Sequence, residues 1–175
     1  MLLLIQYTLI FASVLALVAL GGCFSEHSGV INIGLEGIMV MGALGGALAM
    51  KFVPAGVPAI VMFLLVVLAS LLMGVLFSLL LGVAAINFNA DQTLVGTALN
   101  LMGTAAAVVI VRAINVAENP DNVSSTIVYR KAKQVFLVNI GDFEFNWFML
   151  IVVLVLIAAH IVLYKTRFGL RLCAC

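Results

Sequence analysis

Charges divide this sequence into blocks. No Asp, Glu, Lys or Arg occurs from Met1 to Ser25, and further charge-free runs extend over Gly37 to Met50, Phe52 to Ala90, Gln92 to Val111 and Phe145 to Tyr164. A helix that crosses the hydrocarbon core of a bilayer needs about 20 apolar residues. The runs therefore set the segments Leu2–Gly22, Gly29–Met50, Val57–Ile86, Gln92–Ala113 and Trp147–Tyr164. A membrane strand would need only about 9–11 residues and would alternate in polarity, and these segments are longer and do not alternate. A helix satisfies its own backbone polar groups in lipid. The expected fold is all-α: a polytopic integral membrane protein with about five hydrophobic segments, the second of which either spans or is broken or re-entrant.

Composition excludes the soluble alternative. Charged residues make up 9% of the chain, against roughly 25% in a soluble domain, too few to wet the outside of a helical bundle. The net charge of +1 leaves no basic footprint for nucleic acid. Residues 114–146 form the sizeable stretch outside the bilayer. Within it "NVAENPDNVSST" is turn-rich around Pro120, and "TIVYRKAKQVFLV" reads as a short strand or interfacial segment. The sequon at Asn122 is of a kind common by chance and carries no weight.

The cysteines say little. "LVALGGC", ending at Cys23, has the look of a lipoprotein cleavage box, but no Lys or Arg precedes the apolar run and more membrane-like sequence follows it. Leu2–Gly22 is accordingly read as a mature helix. Cys173 and Cys175 form a C-x-C pair without nearby His, a weak metal signal, and free thiols and no metal site are expected. His160 lies in the last apolar segment and reads as a packing or hydrogen-bonding residue. Lys165, Arg167 and Arg171 follow that segment directly, which places that end in the cytoplasm by the positive-inside rule. Counting back, residues 112–146 and Lys51 lie outside, and Asp91, Glu26 and His27 inside. Arg130, Lys131 and Lys133 are a counter-signal, and a re-entrant second segment would reverse the N-terminus.

Two patterns concern helix contacts. Ser70, Gly74, Ser78 and Gly82 recur every four residues, and Gly42 and Gly46 make a GxxxG pair. Hydrophobicity drives little helix association in lipid, so small residues that let backbones approach are read as packing faces. Thr93, Thr97, Asn100 and Thr104 share one face of the fourth segment. They read either as interhelical hydrogen-bonding groups, on the order of 1 kcal/mol each, or as the lining of a solute path.

The second segment poses the sharpest question. "GVINIGLEGIMVMGALGG" puts Asn32 and Glu36 one turn apart among six glycines. A carboxylate near the bilayer centre costs roughly 2.5–3.5 kcal/mol on insertion scales, so it must face protein, water or a partner. Gly29, Gly34 and Gly37 weaken helix and are read as the position of a break. Broken helices are tolerated in a membrane where they are buried or line a cavity, and their ends offer free N–H and C=O groups to a solute. Asn32 and Glu36 are thus read as a polar hinge beside a solute path. The alternative is a solvated carboxylate at the cytoplasmic mouth.

Taken together, three stretches resemble a known family. "FSEHSGVINIGLEGIMVMGALGG", "NADQTLVGTALNLMG" from Asn89 to Gly103, and "YKTRFGLRLCAC" are similar, in order and spacing, to recurrent segments of bacterial ABC-importer permeases of the branched-chain amino acid and ribose-type superfamily. "NIGLEG" looks most like the nucleoside or simple-sugar branch. The resemblance implies a permease without catalytic residues and without a cofactor of its own, moving a nucleoside or simple sugar across the bacterial inner membrane. It implies a second permease subunit, ATP-binding subunits that hold ATP and Mg²⁺, and an extracytoplasmic solute-binding protein. It places Arg167, Phe168, Gly169 and Arg171 at the start of the region that couples to the ATPase, with residues 165–175 entering that region. The resemblance implies a longer protein, so the chain is expected to be the N-terminal part of a permease, a truncated or partial chain. The competing functions are an ion or proton channel or secondary carrier that uses Glu36 as a titrating group, and a structural subunit of a membrane complex.

Overall fold

The computed structural model describes residues 2–29, 31–54, 57–127, 137–140 and 143–172. Among the described residues, five long helices and one short helix carry the fold: α1 (Leu2–His27), α2 (Leu35–Phe52), α3 (Ala59–Asn87), α4 (Gln92–Glu118), α5 (Trp147–Lys165) and α6 (Arg167–Leu172). Between α4 and α5 lies a hairpin of β1 (Leu137–Ile140) and β2 (Phe143–Asn146), antiparallel with Leu137 opposite Asn146 and Ile140 opposite Phe143. All five long helices are long and apolar enough to cross a membrane, and the protein is a polytopic helical membrane protein. The hairpin adds two four-residue strands without changing that class. The expected run around Arg130, Lys131 and Lys133 and the pair Cys173 and Cys175 lie outside the described residues.

Contacts divide the chain into two units, Met1–Asn32 with Phe136–Cys175, and Ile33–Val135. In the first, α1 packs along α5 and approaches β2. His27 at the end of α1 meets Tyr164 near the end of α5 edge-on, with ring centroids 6.3 Å apart, so both helices finish at the same end of this unit. Cys23 is an exposed free thiol inside α1, which runs unbroken past it to His27. Val152, Ala159 and Leu163 are buried at spacings of seven and four, one face of α5.

The second unit is a three-helix sheaf. Met41, Leu44, Phe77, Leu81, Leu99 and Val111 form its core. Gly46 and Gly45 of α2 lie against Val66, Ser70 and Met73 of α3, while Ile38 lies against Gly74, so α3 runs antiparallel to α2. Gly37 meets Gly103 at one end of α2, and Lys51 pairs with Glu118 at the other, so α2 and α4 run parallel. Most large apolar side chains of α3 are exposed, including Leu64, Leu68, Leu71, Val75 and Leu79. A lipid-facing helix has this inverted pattern, because lipid tails are as apolar as leucine.

Candidate functional site

Gly29 and Gly34, read from sequence as the position of a break within the second segment, lie instead in the connection between α1 and α2, and each glycine has a separate task. Gly29 takes φ +77, the left-handed conformation that favours glycine, where the chain leaves α1. Residues 31–34 are non-helical, with Gly34 the N-cap of α2. Gly37, read from sequence as part of the break, lies inside α2 instead. Its smallness serves a helix crossing: a Cβ there would sit 2.5 Å from the carbonyl oxygen of Leu99 and 3.0 Å from Cα of Asn100. The partner surface is equally bare. A Cβ on Gly103 would lie 2.9 Å from Cα of Gly37, and one on Gly96 would lie 3.0 Å from the Gly34 nitrogen. Backbone cannot move aside as a side chain can, so Gly103 is required by this approach, while a Cβ at Gly96 would need its neighbours to give by a few tenths of an ångström. Neither was among the packing residues read from the sequence. Their seven-residue spacing around Asn100 was the available signal.

Asn100 stitches the crossing. Its Nδ2 donates to the carbonyl of Ile33 at 2.8 Å, and its Oδ1 accepts from the N–H of Gly37 at 2.7 Å. Glu36 lies between those two backbone anchors, in the first turn of α2, with an exposed side chain. A carboxylate at a helix N-terminus is favoured by the partial positive charge of the free N–H groups there. Asn32 is half-buried, and its Oδ1 is enclosed with no hydrogen-bond partner among the described residues.

The remaining polar stripe of α4 divides by its partners. Asp91 caps the helix, its Oδ1 accepting from Thr93 and Leu94 N–H at 2.8 and 3.4 Å. The Thr97 hydroxyl donates to the carbonyl of Thr93, and that of Thr104 to the carbonyls of Asn100 and Leu101. Both hydroxyls are thus satisfied within their own helix. Thr93 and Thr97 are exposed, whereas Asn100 and Thr104 are half-buried. Of the four, Asn100 alone bonds across to the break.

The predicted small-residue row of α3 is used over part of its length. Gly46 abuts the Ser70 hydroxyl, with a Cβ there 2.5 Å from Oγ, and Gly42 lies 3.4 Å by the same measure from the Ser70 carbonyl. Gly74 makes ordinary contact with Ile38 at 3.9 Å, Ser78 bonds back to Val75, and Gly82 faces nothing within 4 Å. The row drifts off the contact because α3 turns Phe77 and Leu81 toward the core. Gly45, absent from the sequence reading, is tighter than Gly42: its Cβ would lie 2.6 Å from Met73 Cγ and 2.8 Å from the Ala69 carbonyl. Asn115 was also missed. It is 4% exposed, and its Nδ2 donates to the carbonyls of Ser124 at 2.9 Å and Thr126 at 3.0 Å, fastening the turn-rich stretch to α4.

At the other end of the chain, α6 turns away from α5 at Thr166. The Thr166 hydroxyl donates to the Val162 carbonyl and receives the Gly169 N–H at 3.4 Å. Gly169 is buried against the backbone of Leu163, where any Cβ would clash. That close fold-back leaves Phe168 and Leu170 exposed on α6, with Arg167 exposed beside them. Among the described residues no group of three His, Cys, Asp or Glu is placed to hold a metal ion.

This architecture defines a multi-pass helical membrane protein whose second span has its first turn capped by a side chain of the fourth. The chain belongs to the family described as branched-chain amino acid transport system / permease component, whose model matches residues 4–175. It is 38% identical over 94% of its length to the guanosine ABC transporter permease protein NupQ of Bacillus subtilis, of which it covers 53%. It is 36% identical, again over 94%, to the nucleoside ABC transporter permease protein NupC of Lactococcus lactis subsp. cremoris, covering 52%. A 35-residue stretch is 57% identical to the putative glucose ABC transporter permease protein TsgC13 of Haloferax volcanii, covering 20% of this chain and 11% of that one. No solved structure matches. The chain spans about half the length of the curated relatives it matches.

Proposed function

We propose that this chain is the N-terminal part of the membrane-spanning permease subunit of an ATP-binding-cassette importer that moves a nucleoside into a bacterial cell across the cytoplasmic membrane. The observation that carries the reading is similarity over 94% of the chain to two permeases named for guanosine and nucleosides. The architecture suits the role. Within the second unit the exposed Glu36 at the start of α2, with Thr93 and Thr97 exposed on α4, is read as polar surface available to a solute. The short α6, with Phe168 and Leu170 outward, offers a contact for ATP-binding subunits that carry ATP and Mg²⁺. A second permease subunit and an extracytoplasmic solute-binding protein complete the assembly. A simple sugar is the second reading, favoured by the short glucose-permease match.

The test is uptake of labelled guanosine by the full-length transporter with its partner subunits in proteoliposomes. Uptake is expected to require ATP, to be competed by other nucleosides and to be indifferent to glucose. Competition by glucose alone would select the sugar reading. Uptake driven by a proton gradient without ATP would replace the importer by a secondary carrier.

A further inference from the structure

An N-cap residue normally supplies its own side-chain oxygen to an N–H two or three positions on. Gly34 has no side chain to supply. The N–H three positions on, that of Gly37, is instead taken by Asn100, 63 residues away. The same amide donates to Ile33 on the far side of Glu36. A primary amide has two acceptor lone pairs and two N–H donors, and one of each is committed to this segment. We infer that Asn100 is a positioning residue of the transport site: it caps α2 from outside, fixes the backbone on both sides of Glu36 and so sets where that carboxylate is presented.

Three observations support this assignment over a solute-binding one. The bond from Gly37 to Oδ1 is short and takes one of the two lone pairs of that oxygen, at the side facing α2. Gly96 and Gly103 flank Asn100 by about one turn on either side and let α4 approach closely enough for a side chain with one methylene to span the gap. The Lys51–Glu118 pair at 3.0 Å ties the opposite ends of the same two helices, with the Lys51 side chain only 11% exposed, which holds their register. The exposed side chain in this arrangement is Glu36, not the amide. The inference rests on the proposal that Glu36 borders the solute path.

Asn100→Asp keeps an acceptor for Gly37 but turns an oxygen toward the Ile33 carbonyl in place of a donor. Asn100→Ala removes both bonds. The test uses the full-length transporter with its partner subunits, with Cys23, Cys173 and Cys175 replaced by Ser. Leu35→Cys is introduced at the half-buried first position of α2 as a reporter. Its labelling by N-ethylmaleimide, without solute or ATP, is expected to rise at least fivefold with Asn100→Ala and by a smaller factor with Asn100→Asp. In guanosine uptake, maximal rate should fall in the same order while KM changes less than threefold. Glu36→Gln should add little to Asn100→Asp, because residues that act at one point are not additive. If the Ala variant fails to assemble, the Asp variant carries every readout. Unchanged labelling in both variants, a tenfold rise in KM without a change in labelling, or full multiplicative loss in the Glu36→Gln/Asn100→Asp pair would each overturn the assignment. Failure of guanosine uptake in the parent would overturn the proposed function alone, since the labelling needs no solute.

Discussion

The α2–α4 crossing and the buried face of α5 solve the same problem by opposite means. At the crossing, Gly37 and Gly103 bring two backbones together and Asn100 bonds directly to main chain. On α5 the buried positions are Val152, Ala159 and Leu163, and side chains fill the space. The first arrangement tolerates no added atom, because its neighbours are backbone. The second can lose atoms at small cost, because in lipid an aliphatic group gains dispersion contacts on association but little hydrophobic free energy. Rigidity is therefore concentrated at the crossing, beside Glu36.

The largest expected effect breaks the crossing. Gly103→Val should place its Cβ 2.9 Å from Cα of Gly37 and cost about 3 kcal/mol or more, at or above the upper end of ordinary overpacking. Loss of the assembled complex on size-exclusion chromatography in detergent is the measurement, and wild-type assembly would refute the backbone contact. Smaller is Val152→Ala, at a side chain 2% exposed. It is expected to cost about 1 kcal/mol, at the low end for a buried truncation, and to leave uptake intact. A drop in melting temperature as large as that of Gly103→Val would erase the distinction. Smallest is Gly82→Ala, where nothing lies within 4 Å. Helix propensity alone predicts a gain of up to about 1 kcal/mol, seen as an unchanged or raised melting temperature. A clear loss would mean that this end of α3 packs against something after all.

Much of the helical layout was legible because lipid admits charge chiefly at segment ends. The apolar runs lead to α3 and α5 with ends close to the expected residues: Val57–Ile86 against Ala59–Asn87, and Trp147–Tyr164 against Trp147–Lys165. The discrepancies arise where polar groups are satisfied by distant partners. α4 continues past Ala113 to Glu118 because Asn115 holds the following turn and Glu118 reaches Lys51. α2 begins at Leu35 rather than Gly29 because the non-helical backbone before it is held by an amide on another helix. Periodicity within one segment carries no record of such a partner. The same limit applies to the polar stripe of α4. Spacing put Thr93, Thr97, Asn100 and Thr104 on one face, but only the structure shows that Thr97 and Thr104 bond within their own helix while Asn100 crosses to α2.

The distance in sequence between Asn100 and the segment it caps has a consequence for biogenesis. α2 is among the less apolar of the five long helices, carries a carboxylate in its first turn and has no side-chain cap of its own. As it emerges from the ribosome, its first turn still lacks the amide that will bond it, because 63 further residues must be made before Asn100 appears. An unsatisfied backbone group in hydrocarbon costs several kcal/mol. α2 should consequently linger at the translocon or its aqueous margin while α3 enters lipid alone, and complete its insertion as a pair with α4. A nascent chain halted before α4 would then carry a second span in which introduced cysteines stay open to a water-soluble thiol reagent, while in the same chain extended past Gly103 they would be closed to it.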